Sequence, residues 1–338
     1  MNFESHYPAI QCRCITRMLC NLYTNLYSAK DSHPVIHPIH RGDTVRKLSI
    51  KKISLSVSAS VLMLGSSATW AQSINVAVAA NFQGAMVQLV NAFGLSSSPY
   101  AGSSFTVTYG ATGDFQTAIS TALSAPGGTT PYDLFFAADD TTPAALRSSY
   151  PSVVQVPFRY AEGKLILWSK FGPNVGTSGS AGFPNPASYA YANGQVAIAN
   201  TVTAPYGTAA KQVLSRVNGI AYPGGAYDAK FTQYATIGTT YTAVNASTSA
   251  TTYPNMGFVA KSQLCDGTTG SIRSPLTGTY FEYTPATVNG NPPHDRLLQD
   301  ATAIRGRPGS TNAAVDAFIA FVGSTTGRTI ILNNCYIL

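Results

Sequence analysis

The chain has 338 residues, 45% of them hydrophobic and only 10% charged. That balance excludes a disordered chain, and the length suits one large domain or two lobes. The formal charge of +7 is concentrated in residues 1–71, which hold 8 of the 21 Lys and Arg but 3 of the 14 Asp and Glu, so no nucleic-acid partner is expected of the rest.

Residues 1–45 carry Cys12, Cys14, Cys20 and four of the five histidines. Zinc needs paired ligand spacings on a foldable scaffold, which this scatter does not offer. The segment reads as a leader extension or as the product of a misplaced start codon. Residues 46–71 read as a secretory signal: Arg46, Lys47, Lys51 and Lys52, an apolar run from Ile53 to Leu64, then small residues to Ala71. The run is too short for a transmembrane helix, which needs roughly 20 apolar residues. Cleavage is expected after Ala71, with Ala68 as second choice, releasing a soluble chain into the periplasm. No cysteine follows the run to take a lipid anchor.

Beyond residue 72 strand and helix patterns alternate, which predicts an α/β fold with mixed, mostly parallel sheets and helices on both faces. Ile74 to Ala80 reads as a buried strand, followed by a helical stripe of Met86, Leu89, Val90 and Phe93. Phe105 to Tyr109 is the next strand, and Phe115, Ala118, Ile119 and Ala122 mark the next helix. Tyr132 to Ala138 is a third strand, with Asp139 and Asp140 read as a helix cap. Lys164 to Ser169 is a strand after which Gly, Pro, Ser and Tyr crowd residues 172–193. Gln195 to Ala199 then opens a second lobe with the Ala209 to Val217 helix, and Gly257 to Ala260 leads back out. Residues 266–296 read as irregular surface. A final amphipathic helix, with Val315, Phe318, Ile319 and Val322, should pack on the first lobe. The predicted layout is a first lobe of residues 72–165 and 262–338 and a second of 166–261, with two hinge crossings near Ser169 and Ala260. Cys265 and Cys335 either close a 70-residue loop or remain two buried thiols.

Catalytic chemistry is thin. His294 is the single histidine after residue 71, in a Pro-Pro-His-Asp segment read as surface, and no G-x-S-x-G elbow or phosphate-binding G-x-x-x-x-G-K-[ST] loop is present. No enzyme and no cofactor are expected. Anion chemistry fits better. Strands run into Ala80-Asn81, into Thr112, into the Ala-Pro-Tyr-Gly of residues 204–207 and into the Gly-Thr-Thr-Tyr of residues 238–241, each where a helix opens. Free N–H groups and the positive dipole end make such junctions anion sites. The plain alternative is that Asn81 and Thr112 are ordinary N-caps.

The segments VAVAANF (76–82), YGATGDFQTAI (109–119), YDLFFAADD (132–140), YAEGKLILWS (160–169), TAPYGTAAKQVL (203–214), GFVAKSQ (257–263) and QDATAI (299–304) together resemble the periplasmic molybdate-binding proteins of ABC importers. That resemblance implies the two-lobed type II periplasmic-binding fold. It also implies capture of molybdate, with tungstate, by a monomer that delivers it to an ABC permease. It places ligand contacts at the backbone of Ala80, and at Asn81, Thr112, Tyr206 and Tyr241, with Thr240 as the alternative to Tyr241. Two departures stand out. A tyrosine replaces a small apolar residue at 241, and Asp114 follows Thr112 by two residues, either as a solvent-facing first-turn acid or as an acceptor for a protonated oxyanion. Rival readings are a trap for sulfate or phosphate and an exported α/β hydrolase using His294.

Overall fold

The computed structural model describes residues 72–176, 182–186, 189–284 and 292–338. The leader extension and the signal sequence lie outside the described residues. The first sheet holds β1 (Ser73–Ala79), β2 (Ser104–Gly110), β3 (Leu134–Phe136), β4 (Phe158–Gly163) and β10 (Leu297–Ala303), in the order β2-β1-β3-β10-β4. The second holds β5 (Leu165–Ser169), β6 (Val196–Ala199), β7 (Phe231–Tyr234), β8 (Met256–Ala260) and β9 (Thr279–Tyr283), in the order β7-β6-β8-β5-β9.

The two sheets follow one plan. In the first, β1 runs parallel to β2 and β3, and β10 pairs antiparallel with β3 and β4. In the second, β6 runs parallel to β7 and β8, and β5 pairs antiparallel with β8 and β9. From β1 the chain goes to one side, to β2, and then to the other, to β3; β6 does the same. The crevice at the carboxyl end of such a strand is where open α/β sheets bind ligands.

Helices fill the connections: α1 (Gln83–Gly94), α2 (Thr112–Ser124), α3 (Thr141–Ser149), α4 (Pro205–Asn218), α5 (Ile237–Ala246), the single turn α6 (Lys261–Leu264), α7 (Asn312–Gly323) and α8 (Thr325–Asn333). The stripe of Met86, Leu89 and Phe93 is buried, as its spacing predicts. Phe93 meets Phe105 and Phe318 edge-on, at centroid distances of 5.9 and 5.4 Å, which ties α1, β2 and α7 into one core. The helix expected to be final does pack on the first lobe. It is followed by α8, which Ser324 opens by accepting from the Gly327 N–H.

Two expectations about layout need correction. Residues 279–283, read as irregular surface, form β9, because their Thr-Tyr-Phe-Glu-Tyr run pairs along the whole of β5. The second sheet therefore extends past residue 261, to Tyr283, and the chain is back in the first sheet at Leu297. The first crossing is at Lys164, between β4 and β5, earlier than Ser169. Leu297 pairs with Gly163, so the two crossings lie side by side. Beside them Glu282 takes ion pairs from Lys164 (2.7 Å) and Lys261 (2.6 Å). Burial alone would raise this carboxyl, and the two lysines hold it below the usual range instead.

Gly163 sits where no side chain fits: a Cβ there would run into the Tyr206 hydroxyl and the Gln299 amide. Gly163→Ala is expected to push the lobes apart at the crossing and to cost about 1–3 kcal/mol of overpacking. A urea unfolding midpoint checks it.

Candidate functional site

Four helix starts meet between the lobes. β1 ends in a 3-10 turn, Ala80–Phe82, ahead of α1, and α2 follows β2 after Ala111. Across the cleft, α4 opens after Ala204 and α5 after Thr236. They occupy equivalent places, after the second strand of each sheet order, β1 or β6, and after its parallel edge neighbour, β2 or β7.

The N-cap residues of three of these starts are alanines, Ala79, Ala111 and Ala204, and none makes a side-chain cap bond. Alanine is a poor N-cap, typically costing about 0.5–2 kcal/mol relative to Ser, Thr, Asn or Asp. A helix start left uncapped and buried needs another acceptor for its N–H groups. Asn81 and Thr112 are thus not ordinary caps, since they lie inside the turn and at the first helical residue. Pro205, at the start of α4, has no N–H to satisfy, and the next donor is that of Tyr206.

These starts surround a small cavity with about 10 Å³ of free space, room for one water. Its lining includes Ala80, Asn81, Thr112, Tyr206 and Ile237, and among the described residues carries no charged one. Asn81, Thr112 and Tyr206 are each at most 2% exposed. The Thr112 hydroxyl accepts from the Ala138 N–H (2.9 Å), which leaves its proton for a ligand. Burial pushes the Tyr206 hydroxyl far above its ordinary pKa, so it stays a neutral donor.

The lobes touch around this cavity. The Gly113 N–H donates to the Thr203 carbonyl (2.9 Å), Ser262 Oγ donates to the Asn81 carbonyl (2.9 Å), and Gln299 Nε2 donates to the Tyr206 hydroxyl (3.1 Å). Larger grooves lie on either side, of about 770 and 330 Å³. The first shares Ala80 and Asn81 with the cavity, and the second shares Ala138 and Pro205. The second also carries Asp139, Asp140 and Asp295 against Arg296 alone, a poor surface for an anion. Asp139 does cap α3 as expected, accepting from the Thr142 N–H (2.8 Å).

Tyr241 is not brought to the cavity. Thr236 and Thr239 form a capping box that starts α5 at Ile237, so position 241 lies a full turn inside the helix. Its ring stacks on Trp168 (5.8 Å), and its hydroxyl accepts from Arg273 (2.8 Å). Thr240 is buried and donates to the Thr236 carbonyl (2.8 Å). Ile237 stands at the fourth helix start instead. Asp114 is exposed and outside the cavity lining, which fits a first-turn acid facing solvent.

His294, read as a surface residue, is only 2% exposed. Its Nδ1 and Nε2 lie 2.6 and 3.2 Å from the Asp295 and Tyr283 carbonyl oxygens. Neither ring nitrogen faces a serine or a carboxylate, and the Ser-His-Asp arrangement has no place here. His294→Ala is expected to lower stability by about 1–3 kcal/mol and to leave ligand affinity unchanged. Thermal unfolding beside a binding isotherm checks both.

Residues 74–335 match the family model described as bacterial extracellular solute-binding protein. The molybdate-binding protein ModA of Azotobacter vinelandii is 34% identical over 284 residues, covering 82% of this chain and 97% of that one. The chain belongs to the bacterial extracellular solute-binding protein family. Members of this family are binding proteins and not enzymes. Two solved structures share the fold. The periplasmic molybdate-binding protein of Azotobacter vinelandii has a TM-score of 0.60 at 24% identity, covering 78% of this chain and 99% of that one. The sulfate-binding protein SubI of Mycobacterium tuberculosis H37Rv has a TM-score of 0.51 at 12% identity, covering 78% and 86%.

In this solute-binding protein a second tier of residues stands behind the cavity, and the sequence reading missed it. Gln299, fully buried on β10, bonds Asn81, Tyr160 and Tyr206 at once. The Tyr336 hydroxyl donates to the Asn81 carbonyl (2.7 Å). A signal for Gln299 was present: along β10 it shares the inward face with Leu297 and Ala301, and an amide on a core face needs partners.

Proposed function

We propose that this protein captures molybdate, and tungstate with it, in the periplasm and delivers it to an ABC permease, working as a monomer released by cleavage after Ala71. The observation that carries the reading is the convergence of three helix starts with alanine N-caps on one buried, uncharged cavity. A desolvated dianion held there takes its bonds from neutral donors and dipole ends, without a counter-charge. The choice of molybdate rests on the 34% identical relative that carries that name. No carboxylate lines the cavity to accept the proton of hydrogen phosphate.

Capture requires the lobes to part about Lys164, because the cavity between them holds only about one water. Closure then removes the ion from solvent, where each donor bond counts for more. Selection over sulfate, a smaller tetrahedral dianion, comes from how far apart the donor loops stand.

A ligand that binds only the folded form stabilises it by about 2.7 kcal/mol at 100 times its Kd. Molybdate and tungstate are expected to raise the melting temperature of the purified protein by several degrees, and sulfate and hydrogen phosphate at equal concentration by much less. An equal or larger shift with sulfate would discard the molybdate assignment while keeping the trap.

A further inference from the structure

Asn81 lines the anion cavity, yet both protons of its amide nitrogen are committed elsewhere. Nδ2 donates to Gln299 Oε1 (2.9 Å) and to the Tyr336 hydroxyl (3.1 Å), while Oδ1 is buried and has no partner. In that setting the one uncommitted group of the amide is an acceptor, and an acceptor repels a fully deprotonated oxyanion. The rest of the network explains how the setting can reverse. Gln299 Oε1 also faces the Tyr160 hydroxyl (2.9 Å), whose proton has a second acceptor in the Ala137 carbonyl (2.8 Å). Gln299 Nε2 donates to the Tyr206 hydroxyl, a group that can donate in return.

We infer that Gln299 is a positioning residue whose amide turns over together with that of Asn81 when a fully deprotonated oxyanion binds. After the turn, Asn81 Nδ2 points to the ligand, and Asn81 Oδ1 accepts from Gln299 Nε2 and from the Tyr336 hydroxyl. Gln299 Oε1 then accepts from Tyr206, and the second Nε2 proton goes to the Tyr160 oxygen, which keeps its own proton on the Ala137 carbonyl. The Asn81 carbonyl retains the Ser262 hydroxyl. Every amide atom has a partner in this setting, the orphaned Oδ1 included, and it requires an acceptor in the cavity.

The consequence is a selection by protonation state. The turned pair replaces the uncommitted acceptor of Asn81 by a donor and suits molybdate. The unturned pair offers one acceptor and suits an oxyanion that still carries a proton. Because Gln299 reaches Asn81 on the first lobe and Tyr206 on the second, the turn also links ligand chemistry to closure.

The inference rests on the oxyanion reading above, and one experiment separates the two. Side-chain amide signals of Asn81 and Gln299 are followed by ¹⁵N NMR in the purified wild-type protein, through their contacts with the rings of Tyr336, Tyr206 and Tyr160, while molybdate is added to saturation judged by calorimetry. The expected result is that the Asn81 NH₂ loses its contact with Tyr336, and that the Gln299 NH₂ exchanges Tyr206 for Tyr160. Saturable binding with both sets of contacts unchanged overturns the turn and leaves the oxyanion site standing. No saturable binding by molybdate, tungstate, sulfate or phosphate overturns both. Gln299→Glu, read at a pH where its buried carboxyl is ionised and can only accept, is expected to hold the Asn81 nitrogen in the unturned setting. In that variant the Asn81 NH₂ keeps its contact with Tyr336 at every molybdate concentration, and loss of that contact would count against the inference.

Discussion

Asn81→Ala is expected to weaken molybdate binding by about 10- to 150-fold while leaving the fold in place. A hydrogen bond to a charged group is worth about 1.5–3 kcal/mol, and each 1.4 kcal/mol is a factor of ten in Kd. The Asn81 amide is among the few side-chain groups that line the cavity and can donate into it. Its loss leaves Gln299 with Tyr160 and Tyr206, and Tyr336 with the carbonyl of residue 81 and Ser262. Stability should therefore change little, and a matched unfolding midpoint shows that the affinity loss belongs to the site. Unchanged affinity would remove Asn81 from the ligand and with it the main side-chain donor of the first lobe.

Removing the Cys265–Cys335 disulfide is the larger change for stability. The bond joins the segment after α6 to the segment after α8, with Cα atoms 6.0 Å apart and 70 residues between them. Closing a loop of that length constrains the unfolded chain by about 4 kcal/mol in the chain-entropy model. For a body of this size about 4 kcal/mol corresponds to roughly 10 °C in melting temperature. The effect also reaches the site. The same segment is held to the first lobe by the Gly270 N–H donating to the Asn333 carbonyl (3.2 Å), and Ser262 on α6 donates to the Asn81 carbonyl. The Cys265→Ser/Cys335→Ser protein is expected to melt about 10 °C lower, with ligand affinity reduced only a few-fold. Calorimetric melting with and without molybdate measures both, and an unshifted melting temperature would show that backbone bonds hold the segment without the disulfide.

Much of this was legible in the sequence, for a physical reason. The strand-to-helix junctions at Ala80-Asn81, Thr112 and Pro205-Tyr206 show because strand periodicity ends abruptly and helical periodicity starts within one or two residues. The strands β1, β6 and β8 show as nearly continuous apolar runs, as expected of strands buried on both faces. Legibility failed where pairing partners decide. β9 has no run of aliphatics and becomes a strand because β5 offers it an edge. The fourth junction was misplaced because Thr236 and Thr239 both look like loop residues until their reciprocal bonds are seen. Even the alanine N-caps were readable, as alanines in positions that hydroxyl and amide side chains normally fill. The choice between a disulfide and two thiols was not, since it depends on a Cα separation that no spacing rule supplies.

On the function proposed above, a dianion without protons binds in the uncharged cavity between the lobes. Calorimetric titration of the purified, ligand-free protein with molybdate, tungstate, sulfate and hydrogen phosphate at matched ionic strength tests it most directly. The expected result is saturable one-to-one binding of molybdate and tungstate, with sulfate and hydrogen phosphate at least tenfold weaker. Tighter binding of hydrogen phosphate, or no heat with any of the four, would contradict it.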